Sequence, residues 1–126
     1  MILAEFPQVS IVPIPGPSAL AALVSVAGIA LDRFIFLGFL PHKKGRQTMI
    51  ELIKKETEPV IFFESVHRII KALEQLADSP KSLVVGRELT KQFETIYRGT
   101  AKEILEQLNK DKSQIKGEFV VIVDKK

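Results

Sequence analysis

Short apolar runs alternate with segments of helical periodicity along most of this chain, and that alternation limits the folds open to it. The clearest runs cover residues 60–63, 83–85 and 119–123. Strands that are apolar at every position are buried on both faces, as in sheets covered by helices. The pattern therefore predicts an α/β fold, with a mixed β-sheet of about five strands covered by helices.

Proline and glycine residues, together with apolar periodicity, indicate where the other elements begin and end. Further strands are predicted at residues 9–14, 33–40 and 94–97. Helices are predicted at 18–27, from about 49 to 55, from about 69 to near 78–80, and after 100. Gly28 is expected to close the first helix, and Thr100 to Glu103 has the form of a capping box, in which the hydroxyl and the carboxylate each accept from a free N–H.

Composition restricts the class of protein. A chain of 126 residues with 46% apolar residues can bury one compact core. With no cysteine and two histidines, a structural metal is not expected. There is no basic leader and no run of about 18 apolar residues, so we expect no membrane segment, and the absence of cysteine suits a cytoplasmic location. A net charge of +3 permits an RNA partner without identifying one.

The first predicted strand begins close to residue 1, with no earlier element to complete its sheet. We therefore expect the chain to be a piece cut at a domain boundary. Residues 1–14 are interpreted as the end of a preceding domain and a linker strand, and residues 15–126 as a separate domain.

Two turns after predicted strands can carry ligand contacts. In the segment 15–19, Pro-Gly-Pro-Ser-Ala, free N–H groups at the helix start can meet an anion or polar ligand, or Ser18 can simply cap the helix. The segment 63–68, Phe-Glu-Ser-Val-His-Arg, lies where open α/β sheets place ligand crevices. Its structural alternative makes Ser65 a helix cap, His67 a surface residue and Arg68 the partner of Glu64.

Two charged segments have similar alternatives. In residues 86–94, Arg87 and Lys91 can clamp a phosphate, or they can form salt bridges with Glu88 and Glu94 worth about 0 to 1 kcal/mol each. Residues 42–46, His-Lys-Lys-Gly-Arg, can lie along an RNA backbone or form a solvated loop. No common catalytic motif, such as a Walker loop or G-x-S-x-G, is present.

Five segments in order resemble the ribosomal RNA branch of the tetrapyrrole methylases. They are VPIPGPSA (12–19), DRFIFLGFLPHKKG (32–45), FFESVHR (62–68), GRELTKQFETIYRGT (86–100) and KGEFVVIV (116–123). The FLP-x-K-K-G, FES-x-H-R and RELTK parts are what separate this branch from the porphyrin and corrin methylases.

The resemblance implies an enzyme that uses S-adenosyl-L-methionine to methylate the 2'-hydroxyl of a cytidine in small-subunit ribosomal RNA. It implies that residues 15–126 are the carboxy-terminal domain, that the amino-terminal domain is missing from this chain, and that the cofactor lies between the two. The fragment alone is expected to be inactive. The partners implied are ribosomal RNA or the small ribosomal subunit and a second copy in a homodimer.

The same resemblance assigns site residues. Those expected to contact the cofactor are Pro15, Gly16, Ser18, Ala19, Glu64, Val84 and Glu118. Those expected to contact the RNA substrate are Lys43, Lys44, Arg46, Arg68, Arg87 and Lys91. The catalytic base is not assigned, with Glu88 and Glu94 as candidates, and no metal is expected.

Two alternatives remain. A tetrapyrrole (porphyrin or corrin) C-methyltransferase would share the fold and the cofactor, although the basic loop and the RELTK segment argue against it. A non-catalytic RNA-binding or dimerisation module would bind RNA in a salt-sensitive way without any response to the cofactor.

Overall fold

The computed structural model describes residues 2–125, which form five α-helices, a 3₁₀ turn and five strands. The helices are α1 (Ile2–Glu5), α2 (Ala19–Val26), α3 (Arg46–Lys55), α4 (Ile69–Leu76) and α5 (Ala101–Lys110), and the 3₁₀ turn covers Lys112–Gln114. The strands are β1 (Ile35–Phe39), β2 (Val60–Ser65), β3 (Ser82–Arg87), β4 (Thr95–Thr100) and β5 (Glu118–Val123).

The five strands form one mixed sheet in the order β1-β2-β5-β3-β4. Strand β1 is parallel to β2, and β5 is antiparallel to both of its neighbours, β2 and β3. Strands β1, β2 and β3 therefore run in the same direction, and their carboxyl ends lie at one edge of the sheet. The predicted mixed sheet of about five strands is confirmed.

The two faces of the sheet are covered unequally. On one face α3, α4 and α5 contribute Ile50, Leu73 and Ile104 to a large core that also contains Phe62 and Val121. On the other face α2 contributes Leu23 to a smaller core. Because neighbouring residues of a strand point to opposite faces, the continuous apolar runs of β2 and β5 supply both cores.

Local capping explains two of the helix boundaries. Ser18 is the N-cap of α2, and Thr100 and Glu103 form the complete capping box that begins α5. Gly28, which follows α2, has a φ of +70°, a conformation that favours glycine. The guanidinium of Arg98 donates to the carbonyls of Val26 and Ala27, which ties the end of α2 to β4.

The predicted strand at residues 9–14 is wrong. Those residues form no strand and are exposed, with Ile14 88% exposed and Val12 72% exposed. An apolar β-branched run forms a strand only where another strand offers backbone partners. Among the described residues, none pairs with this segment.

Candidate functional site

The segments that follow β1, β2 and β3 meet at one edge of the sheet, beside the start of β5. In the ladder Ser65 faces Glu118, and Arg87 faces Phe119. The basic loop after β1, the charged turn after β2 and the charged loop after β3 are thus brought to the same edge. This is the edge at which open α/β sheets bind ligands.

A small cavity, here called the aromatic cavity, opens at this edge. Its volume is about 160 Å³, and it is lined by Ala19, Phe39, Phe63, Glu64, Glu118, Phe119 and Val120. The Phe63 ring packs edge-on against Phe39, with centroids 5.5 Å apart, and against Phe36, with centroids 5.2 Å apart. Three of the residues predicted to contact a cofactor, Ala19, Glu64 and Glu118, are therefore brought together.

The other predicted cofactor residues lie outside this lining. Pro15 and Gly16 are exposed in the segment that leads into α2. The hydroxyl of Ser18 accepts from the Ala21 amide at 3.3 Å, so the capping alternative holds for this side chain. Val84 is 3% exposed and packs in the smaller core, and its expected contact with the cofactor stays a prediction.

The Glu64 carboxylate lines the aromatic cavity but is already hydrogen-bonded within the protein. It is 1% exposed, and its Oε2 accepts from Arg46 Nη2 at 2.9 Å. Its Oε1 accepts from the Ser65 amide at 3.0 Å and lies 3.4 Å from Nε of Arg68. Two guanidinium groups thus balance this buried charge, so the residue contributes shape more than a free acceptor.

Arg46 does not belong to the exposed basic loop, and its predicted contact with RNA stays a prediction. It is 2% exposed and, besides Glu64, donates to Gln75 Oε1 at 3.1 Å and to the Pro41 carbonyl at 3.3 Å. Lys43 and Lys44 are exposed, as the prediction requires. The two lysines are therefore free to meet a phosphate.

Arg87 is also buried, and its predicted contact with a phosphate stays a prediction. It is 2% exposed, and its Nη2 lies within hydrogen-bond distance of three oxygens: the Phe93 carbonyl (2.9 Å), Thr95 Oγ1 (3.1 Å) and Gln114 Oε1 (2.7 Å). The guanidinium therefore fixes the loop after β3 against the 3₁₀ turn. Its Nε is buried and has no hydrogen-bond partner among the described residues.

The two candidate bases hold the loop after β3 in shape. Glu88, which has a φ of +49°, accepts from the Glu118 amide at 3.1 Å and pairs with Lys91 at 2.8 Å. The hydrogen bond from Lys91 is the main reason that the pKa of Glu88 lies below its usual value. Glu94 accepts from the Thr90 amide at 2.9 Å. Salt bridging within this segment, the structural alternative, is present for Glu88 and Lys91.

The turn after β2 departs from its expected capping. Ser65 is the last residue of β2, and α4 begins four residues later with Arg68 as its N-cap. Ser65 is therefore not the helix cap. Its Oγ is buried and has no hydrogen-bond partner in the part of the chain that the structure describes. His67 is exposed and Arg68 pairs with Glu64, as the structural alternative predicts.

A second, larger cavity, here called the loop cavity, lies beside the aromatic one. It has a volume of about 440 Å³ and is formed by the loop after β3 and the residues before β5. Phe93, Lys116 and Gly117 line it, and none of the three is among the predicted site residues. The signal available in the sequence was a phenylalanine within a highly charged run.

Residues 2–125 show neither a metal-binding cluster nor a membrane-spanning helix. No group of three or more histidine, aspartate or glutamate side chains in that range is arranged to hold a metal ion. No helix described there has the length and apolar character needed to span a bilayer.

Comparison with known proteins identifies relatives over nearly the whole chain. A sequence model of the tetrapyrrole (corrin/porphyrin) methylases matches residues 1–105. The chain is 41% identical, over 124 residues, to the ribosomal RNA small subunit methyltransferase I of Buchnera aphidicola subsp. Schizaphis graminum. That match covers 94% of this chain and 44% of the relative, so the chain spans less than half of the relative's length.

Solved structures share the fold at low sequence identity. The cobalamin biosynthetic enzyme cobalt precorrin-4 methyltransferase superposes with a TM-score of 0.65 at 17% identity, covering 98% of this chain and 55% of that one. A uroporphyrin-III C-methyltransferase from Thermus thermophilus, complexed with S-adenyl homocysteine, gives a TM-score of 0.51 at 13% identity, covering 95% and 55%. At these identities the likeness concerns the fold.

Proposed function

We propose that this chain, which belongs to the tetrapyrrole (corrin/porphyrin) methylase family, is part of an S-adenosylmethionine-dependent methyltransferase acting on small-subunit ribosomal RNA. The reaction we propose is methylation of a cytidine ribose 2'-hydroxyl. The observation that carries the proposal is the aromatic cavity, which joins Ala19, Glu64 and Glu118 at the edge where the charged segments converge. The name of the Buchnera relative supports the RNA substrate.

The lining of the aromatic cavity fits part of S-adenosylmethionine. Phe39 and Phe63 offer aromatic surface of the kind that attracts a planar base or a cationic sulfur. The unpartnered Ser65 hydroxyl is a buried polar group at the same strand end. The volume of about 160 Å³ is smaller than the roughly 300–1,000 Å³ typical of small-molecule sites, so we propose that a second domain supplies the opposite wall.

The chain's own residues act in this proposal by positioning. When bound, S-adenosylmethionine supplies a methyl group that is activated by its positive sulfur. The exposed Lys43, Lys44 and Lys91 bind the RNA backbone and hold the ribose hydroxyl near the cavity, which lowers the entropic part of the barrier. Glu88 and Glu94 shape the loop, and because Lys91 lowers the pKa of Glu88, that carboxylate is a weak base.

Further assignments follow from the same family resemblance. We propose that residues 15–126 are the carboxy-terminal domain, that an amino-terminal domain completes the cofactor cleft, and that the complete protein is a cytoplasmic homodimer. The exposed apolar segment 9–14 and the exposed Phe36 and Phe39 of the edge strand β1 support contact with another domain or subunit. This chain alone would then be inactive.

The test is a methyl-transfer assay with the complete protein and labelled S-adenosylmethionine. Small ribosomal subunits and a precorrin-type tetrapyrrole are offered as substrates, and this chain alone serves as a control. Label at the 2'-hydroxyl of a ribosomal cytidine is expected with the complete protein only. Label in the tetrapyrrole overturns the substrate, and salt-sensitive RNA binding without any cofactor response favours a non-catalytic module.

Two variants in which leucine replaces an alanine of α2 test whether the aromatic cavity binds the cofactor. Ala19→Leu adds bulk to the lining, whereas Ala21→Leu adds the same bulk at an exposed position of the same helix. We expect the first to weaken S-adenosylmethionine binding at least tenfold and the second to leave it unchanged, as measured by calorimetry. Equal affinities in both variants would remove the aromatic cavity from the cofactor site.

A further inference from the structure

The loop cavity is built from the loop that carries Phe93 and from the two residues that precede β5. Its volume of about 440 Å³ lies within the range typical of small-molecule sites. It adjoins the aromatic cavity along the chain, since Gly117 lines the loop cavity and Glu118 lines the aromatic one. A ligand that spans both would pass over the start of β5.

Phe93 presents an aromatic ring to this cavity from a fixed backbone. Its side chain is 65% exposed, which for a phenylalanine in a charged loop leaves a large apolar surface in water. Its carbonyl accepts from the buried Arg87 at 2.9 Å, so the backbone that carries the ring is anchored. No other ring packs against it in residues 2–125.

Three basic side chains lie around the same cavity, and one of them, Lys116, has no partner among the described residues. Lys116 lines it, is exposed and forms no ion pair with any residue that the structure describes. Arg87 lies in the lining with its buried Nε unpartnered. Lys91 is held by Glu88 at 2.8 Å and approaches Glu118 at 3.5 Å, so its position is fixed.

An exposed aromatic ring beside basic side chains is the combination by which proteins bind unpaired nucleotides. Bases stack on aromatic side chains, and nearby cations neutralise the phosphates. We propose that the loop cavity binds one unpaired nucleotide of the RNA substrate, next to the nucleotide that is methylated. Phe93 stacks on its base and Lys116 contacts its phosphate. This inference rests on the proposed function and extends it to a second nucleotide.

Glu88 and Gly117 determine how closely the loop after β3 packs against the start of β5. A Cβ on Gly117 would lie 1.8 Å from Glu88 Oε1, and the φ of Gly117 is +85°. The glycine therefore lets the loop after β3 close against β5 and form the floor of the cavity. Two non-glycine residues in the left-handed region, Glu88 at +49° and Thr90 at +63°, show that the loop is held in a strained shape.

The test uses the complete protein and a fluorescein-labelled oligocytidylate octamer as an unpaired RNA probe. We expect Phe93→Ala to weaken octamer binding by about 5- to 100-fold, and Phe93→Trp to stay within about threefold of wild type because it retains a stacking surface. Lys116→Ala is expected to lower the slope of log K against log salt by about 0.7. Leu52→Ala on α3 and Lys71→Ala on α4, both at exposed positions, are the matched controls and should bind as wild type does.

Methylation assays on the same proteins separate the two proposals. With the proposed function correct, Phe93→Ala raises KM for small ribosomal subunits and leaves the affinity for S-adenosylmethionine unchanged. A wild-type protein that methylates ribosomal RNA while Phe93→Ala binds the octamer normally overturns this inference alone. Absence of methylation by wild type overturns the proposed function. Octamer binding that does not depend on Phe93, or no octamer binding by wild type, also overturns the inference.

Discussion

Arg46 and Glu64 form a buried ion pair, with Nη2 of the first 2.9 Å from Oε2 of the second. Arg46 begins α3, and Glu64 lies near the end of β2. The pair therefore fixes the end of the basic loop against the strand end that lines the aromatic cavity. Because both side chains are at most 3% exposed, neither charge is solvated when its partner is removed.

Arg46→Met should strongly destabilise the complete protein. It leaves the Glu64 carboxylate buried with only Arg68 nearby, and loss of one partner of a buried pair costs about 3–5 kcal/mol. The free energy of unfolding is measured in urea. Arg33→Ala is the control, because the Arg33–Glu58 pair has a 78% exposed arginine and should contribute less than about 1 kcal/mol. Similar losses for both variants would contradict the buried-pair account, as would a double variant Arg46→Met/Glu64→Gln that recovers nothing.

The loop after β1 should contribute to the salt dependence of RNA binding through Lys43 and Lys44. Each phosphate contact on a single strand contributes about 0.7 to the slope of log K against log salt. The double variant Lys43→Ala/Lys44→Ala should therefore lower the slope by up to about 1.4. Lys102→Ala/Lys110→Ala removes the same charge from exposed positions of α5 and should leave the slope unchanged. Equal slopes in the two double variants would show that the basic loop does not contact RNA.

The pairing of Glu88 with Lys91 should make the loop after β3 sensitive to acid. The hydrogen bond from Lys91 lowers the pKa of Glu88 below its ordinary value of 4.5, and the same partner raises the pKa of Lys91 above 10.5. Because its pKa is lower in the folded state, the ionised Glu88 stabilises the fold at pH values above 4.5. This contribution is lost as the pH falls through the folded-state pKa. Because the pKa of Lys91 is raised in the folded state, the protonated lysine stabilises the fold at pH values below 10.5. That contribution is lost as the pH rises through the folded-state pKa of Lys91.

Hydrogen exchange of the Glu118 amide, which donates to Glu88, reports on this loop. In the wild type its protection should fall as the pH drops below 4.5, after correction for intrinsic exchange. Glu88→Gln should lose that pH dependence. Glu106→Gln, at an exposed position of α5, should behave as the wild type does. A wild-type profile that stays flat below 4.5 would rule out the ion pair as the anchor of the loop.

Gly86→Ala should destabilise the smaller core by overpacking. A Cβ at Gly86 would lie 2.8 Å from a methyl of Leu89 and 2.9 Å from a methyl of Leu23. Extra methyl groups in a packed core cost about 1–3 kcal/mol. Gly16→Ala is the comparison, since nothing lies within 4 Å of its added Cβ and the change should stay within about 0.5 kcal/mol. The two free energies of unfolding are measured in urea, and a Gly86→Ala protein as stable as Gly16→Ala would mean that α2 can move away freely.

Features whose partners are close in sequence could be predicted, and features whose partners are distant could not. The capping box of Thr100 and Glu103 is complete within four residues, so the spacing alone identifies it. Arg46 has its partner 18 residues away in another element, and nothing in a basic run indicates that one member will be buried. Arg87 is similar, because Gln114 lies 27 residues further along the chain.

The strand prediction for the segment 9–14 was wrong because it also depended on distant partners, which in this case are absent from the described residues. Its β-branched residues have strand propensity, but propensity acts only where a neighbouring strand supplies partners. For the candidate site, the predicted α/β alternation placed the segment 63–68 where open sheets have their ligand crevices. The exposed Phe93 and the unpaired Lys116 were not predicted, because exposure and pairing depend on how the loop after β3 folds onto β5.

The order β1-β2-β5-β3-β4 has a consequence for how this chain is made. During synthesis, β1 with β2 and β3 with β4 emerge as two separate strand pairs, each with an open backbone edge on the side that β5 will later fill. The six residues of β5 follow the other four strands in sequence, and they insert between the two pairs, placing Val123 beside Val60 and Leu83. The nascent chain therefore carries two open backbone edges until β5 has been synthesised, and a stall or a premature stop before residue 118 would release a product prone to aggregate.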